Sequence, residues 1–153
     1  MKTLTLNGKT YSIRKIPCIP AKELLDSGGL DKGLAPLRLW VEVAGLPLTD
    51  EVITAHISDW EVLTVLELEA YEYNYGFLRK WKAVTVPGEM AARYRVAESS
   101  NVDSIVSALT GNALATYIEL RDNYSLEEAF KLLDVLTVKR INEFRAHEEA
   151  TRK

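Results

Sequence analysis

The sequence predicts a mainly α fold: a helical domain with a small N-terminal β-hairpin and a C-terminal helical part. Three observations carry that prediction. Two short alternating runs, Leu4-Thr5-Leu6 and Thr10-Tyr11-Ser12-Ile13, flank Asn7-Gly8, a pair suited to the positive φ angles of a type I′ turn. Two patterns, Ser58-Asp59-Trp60-Glu61 and Ser125-Leu126-Glu127-Glu128, have the serine and glutamate spacing of a capping box. Behind each, apolar residues recur in steps of three and four, as one face of a helix requires.

Taken in order, the hairpin ends where Pro17 and Pro20 stop the ladder, because neither donates a backbone hydrogen bond. A short helix from about Ala21 to Leu25 follows, closed by Ser27-Gly28-Gly29. Those glycines lack the lysine and hydroxyl of a phosphate loop, so they read as a turn. The apolar run 35–44 predicts a buried helix, with Pro36 in its first turn and Gly45 at its end. Thr49 then caps a helix running to about Ile57.

The stretch 69–81, EAYEYNYGFLRKW, alternates aromatics as a strand would. Yet Leu63, Leu66, Ala70, Tyr73 and Phe77 form a helical seam, and one contiguous helix over about 59–78 accounts for it better. Tyr71, Tyr75 and Trp81 fall off that seam, which makes them candidates for contact with a partner. Residues 83–101 combine a short β-like run, Pro87-Gly88 before a small helix, and a polar Ser99-Ser100-Asn101 stretch. They read as a connector between residues 1–82, the hairpin and helical domain, and residues 102–153, the C-terminal helical part. In that last part Asn101 is the expected cap of a helix through Leu109, and a second helix is expected from Ala113 to about Arg121. The longest follows Ser125, with Leu126, Ala129, Phe130, Leu133, Leu136, Ile141 and Phe144 on its apolar face. Its end, RAHEEATRK, is expected to project into solvent.

Composition narrows the function. With 153 residues the chain is long enough to bury a core, and its net charge of −3 disfavours a phosphate-neutralising nucleic-acid binder. A single cysteine, Cys18, rules out an internal disulfide and suits a reducing compartment. Residues 1–20 carry no apolar signal core, and no run is long enough to span a bilayer, so an intracellular protein is expected. His56 and His147 are far apart in sequence, and neither has zinc-site spacing. The carboxylates lie on helix flanks and caps. Neither catalytic, metal-binding nor cofactor-binding residues are expected, and the chain reads as a non-enzyme.

Three stretches resemble the tail assembly chaperones of long-tailed bacteriophages. LTLNGKTYSIRKIPCIPAKEL is similar to their N-terminal hairpin leading into a helix, and LPLTDEVITAHISDWEVLTVLELEAYEYNYGFL to their mid-chain helical pair. YSLEEAFKLLDVLTVKRINEFRAHEEATRK is similar to the capped helix closing the downstream part of such proteins. The resemblance implies a protein that binds the helical tape measure protein and helps tail tube protein assemble around it. It implies residence in the cytoplasm of the bacterial host and absence from the finished virion, in a family that often makes an extended form by frameshifting. Self-association is compatible with it; nucleic acid and membrane are not expected partners. Aromatic anchors suit such a contact, and Tyr71, Tyr75, Trp81, Ile141 and Phe144 form the candidate client surface. Two other readings compete: a structural tail or head–tail connector protein retained in the virion, and a regulator or nucleic-acid binder using 102–121 as a helix-turn-helix, which would need a basic face where those helices offer Arg121 alone.

Overall fold

The computed structural model describes residues 1–31, 33–93 and 102–152, and it is mainly helical with an N-terminal antiparallel sheet. The hairpin forms as expected. Strands β1 (Lys2–Leu6) and β2 (Lys9–Ile13) pair from Leu6↔Lys9 outward, and Asn7 and Gly8 take φ values of 48° and 75°. These are the left-handed angles that a two-residue type I′ turn demands.

The sheet is larger than the hairpin. Two further strands, β3 (Val41–Val43) and β4 (Leu46–Pro47), extend it in the order β1-β2-β3-β4. The helix expected over 35–44 is therefore corrected: Ala35–Trp40 winds as a 3-10 helix and the chain then runs extended. The physical reason lies in Val41-Glu42-Val43. Two β-branched residues alternate with a charge, so both valines enter the core while Glu42 turns out to pair with Arg14 at 2.9 Å.

Helix α1 (Cys18–Asp26) starts three residues before the expected Ala21. Pro20 falls in its first turn, where a missing N–H breaks no helical bond, so it halts the ladder without delaying the helix. Thr49 caps α2 (Asp50–His56) as expected, its hydroxyl accepting from the Val52 amide. Helix α3 (Trp60–Tyr75) takes in the aromatic stretch, which is thus helical; a 3-10 turn, Gly76–Arg79, continues it. Its cap is Asp59, whose carboxylate accepts from the Glu61 amide at 2.9 Å, and not Ser58. A carboxylate at this position meets both the free amides and the positive end of the helix dipole, a combination the neutral hydroxyl cannot offer.

Helix α4 (Gly88–Arg93) follows Pro87-Gly88, while residues 83–86 lie in no strand. Asn101 lies outside the described residues; α5 (Ser104–Gly111) is capped by Asp103, which accepts from Ile105 and Val106. Helix α6 (Tyr117–Asp122) begins later than Ala113, whose φ of 54° no right-handed helix accommodates. Ser125 and Glu128 form the expected capping box of α7 (Leu126–Thr151).

One core joins these elements. Tyr11, Ile13, Val41, Leu63, Leu66 and Ala70 come from the N-terminal part; Leu109, Leu120, Leu126 and Ala129 come from beyond the connector, and all belong to one buried cluster. The α1 and α7 starts are pinned together: Cys18 N–H donates to the Tyr124 carbonyl at 2.6 Å, and Pro17 bridges to Ser125.

Candidate functional site

The five candidate contact residues do not form one exposed surface. Tyr75 is the clearest correction: it is 1% exposed, and its hydroxyl donates to the Ala21 carbonyl at 3.1 Å. Burial, and secondarily the neighbouring Tyr71, push its phenol well above the ordinary value. The seam from Leu63 to Phe77 describes only one contact of α3. Tyr75 points off that seam toward α1, where its hydroxyl finds the Ala21 carbonyl. Ile141 is likewise buried, at 7% exposure. It is therefore closed to a partner, although it lies outside the main core cluster.

Tyr71, Trp81 and Phe144 are half-buried. Tyr71 lies against Tyr75 with ring centroids 5.6 Å apart. Trp81 stands edge-on to Phe77 at 5.8 Å and to Phe130 at 5.4 Å, and Phe77 and Phe130 meet at 5.6 Å. This triad ties the end of the 3-10 turn to α7 in the edge-to-face geometry favoured by ring quadrupoles. Tyr73 is engaged as well: the Lys15 ammonium sits 4.4 Å from its ring centre, and Lys15 pairs with Glu127 at 3.2 Å.

The apolar side chains that do face solvent lie elsewhere. On α7, Val135 is 61% exposed and Val138 is exposed beside it, with Lys131 and Lys139 on the same outer side. Tyr117 and Ile118 are exposed on α6, and Trp60, Val65 and Leu68 on α3. An inward-facing seam marks such residues only by exclusion. The signal was there: Val135 and Val138 stand opposite Ala129, Leu133 and Leu136 on the helical wheel.

Polar clusters give the chain little reactive chemistry. Cys18 is buried, and burial, with Asp103 adding to it, pushes its thiol up to about 11. It is a protonated packing residue at neutral pH. Lys22 bridges Asp26 at 2.6 Å and Asp103 at 3.2 Å, closing the gap between α1 and the start of α5. Among the described residues no three His, Cys, Asp or Glu side chains converge as metal ligands would. No described helix is long and apolar enough to cross a membrane. No protein-family model, curated protein or solved structure matches the chain.

Proposed function

We propose that this protein is a phage tail assembly chaperone that binds the tape measure protein and promotes assembly of the tail tube in the host cytoplasm. Two things support the reading: the three sequence stretches that resemble such chaperones, and the hairpin-then-helices order of the fold. The observation that carries it is the outward face of α7, where Val135 and Val138 leave apolar surface in water between Lys131 and Lys139. A long helical client presents an apolar stripe, and a helix face with an apolar centre and charged flanks can cover it while keeping the complex dispersed. The client surface is therefore Val135 and Val138, with half-buried Phe144 further along the same helix, and excludes the buried Tyr75 and Ile141.

Co-expression with the tape measure protein tests this. Wild type should keep the client in the supernatant and be pulled down with it. Val135→Asp with Val138→Asp should lose the client while retaining the wild-type circular dichroism spectrum. Failure of wild-type chain to associate with either tape measure or tube protein would overturn the chaperone reading. Mass spectrometry of purified virions separates it from the structural alternative, because a chaperone should be depleted there.

A further inference from the structure

We propose that β1 is the contact of a symmetric dimer, in which a second copy of this chain adds its own β1 antiparallel to the first. In a two-residue hairpin the pair next to the turn is hydrogen-bonded, and such pairs then alternate. Leu6↔Lys9, Leu4↔Tyr11 and Lys2↔Ile13 therefore use their backbone groups within the hairpin. The amides and carbonyls of Thr3 and Thr5 point the other way, and β1 ends the sheet with no described residue bonded to its outer side.

Edge strands are normally blunted by proline, a bulge or an outward charge. β1 has neither proline nor bulge. Its one charge, Lys2, is drawn onto Glu69 of α3. A second β1 can thus approach without meeting a free cation of its own kind.

The geometry is self-complementary. With Leu4 opposite Leu4 of the second copy, Thr3 faces Thr5 and Thr5 faces Thr3, so both open pairs exchange hydrogen bonds. Leu4 and Leu6 remain on the half-buried face and the threonines on the exposed face. The adjoining flank of α3 suits the same partner. Glu69 reaches β1, and Glu67 reaches Arg38 on the far side of the helix. Val65, one turn before Glu69, lies on the same side of the helix as the open edge and is 40% exposed. In the two-fold pair Val65 is the apolar side chain of α3 that faces the joined edge.

Sedimentation equilibrium of the whole chain tests the proposal, and the expected result is a reversible dimer. Thr5→Pro removes an outward donor but no hairpin bond, and should weaken the dimer about tenfold or more. Retained cross-strand contacts between Leu4 and Tyr11 by NMR would show the hairpin intact. Val65→Lys, which leaves the strand untouched, should weaken it as well. A wild-type monomer at all concentrations, or a dimer indifferent to Thr5→Pro in the folded variant, overturns the assignment.

Discussion

Asn74 shows how one polar side chain can fix the placement of a helix. It is 3% exposed; its Oδ1 accepts from the Ile16 amide at 2.8 Å, and its Nδ2 donates to the Ala70 and Arg14 carbonyls at 3.0 and 3.3 Å. Both donors and the carbonyl oxygen are engaged, so the side chain couples the end of α3 to the segment after β2. Asn74→Ala leaves the Ile16 amide unpaired inside the protein, and urea denaturation should show a loss of about 2 kcal/mol. The helix caps give a sharper contrast. Ser125→Ala and Asp59→Ala should each cost about 1 kcal/mol, whereas Ser58→Ala, at an exposed site outside the cap, should stay within about 0.5 kcal/mol. Equal losses at Ser58 and Asp59 would show that the helix start is shared between them.

At the level of elements, much of the fold was legible because local chemistry and tertiary packing agree. Asn7-Gly8 specifies its turn, Thr49 and Ser125 specify their caps, and the periodic seam specifies α3 through an alternating aromatic pattern. Legibility failed where two local signals compete. Pro36 announces a helix start, but the alternating valines that follow fit a sheet edge only once β2 is present to pair with them. The Thr116 and Glu119 capping box went unread although its spacing is in the sequence, because the left-handed turn at Ala113 cannot be inferred from an alanine. The contact surface was legible only in part. Periodicity separates inward from outward residues against one neighbour, and Tyr75 has two. The aromatic triad, where the 3-10 turn meets α7, can be tested as well. Phe130→Ala removes edge contacts to both Phe77 and Trp81 and should cost roughly 3 kcal/mol. Trp81 fluorescence should shift to the red in the folded variant.

For the whole molecule, charge links the parts on either side of the connector. Glu127 accepts from Lys131 at 2.9 Å and from Lys15 at 3.2 Å. The Lys131 hydrogen bond chiefly, with burial opposing and Lys15 assisting, holds its carboxyl below the ordinary glutamate value of 4.5. A carboxyl lowered in the folded state binds protons more readily when the chain unfolds. Its contribution is thus complete above the unfolded value and is lost as pH falls through the lower, folded one. Stability measured by denaturation should therefore decline on acidification below about pH 4.5, and Glu127→Gln should make that decline shallower. A variant with an unchanged acid profile would assign the acid sensitivity to other carboxylates.

The pinning of α1 to the start of α7 also bears on how the chain is made. Lys15 and Glu127 are 112 residues apart in sequence, yet they and the Pro17–Ser125 bridge hold the two ends of one core. Contacts of such separation form late, because the intervening chain must first be brought together. On the ribosome, the sheet and α3 emerge before α7, and the core that Cys18 and Ala21 share with Leu126 and Ala129 stays incomplete until α7 follows. Translation speed between the codons of α3 and those of α7 therefore sets how long an incomplete core is open to misassociation, and slowing it there should lower the yield of folded protein more than an equal delay within the codons of the sheet.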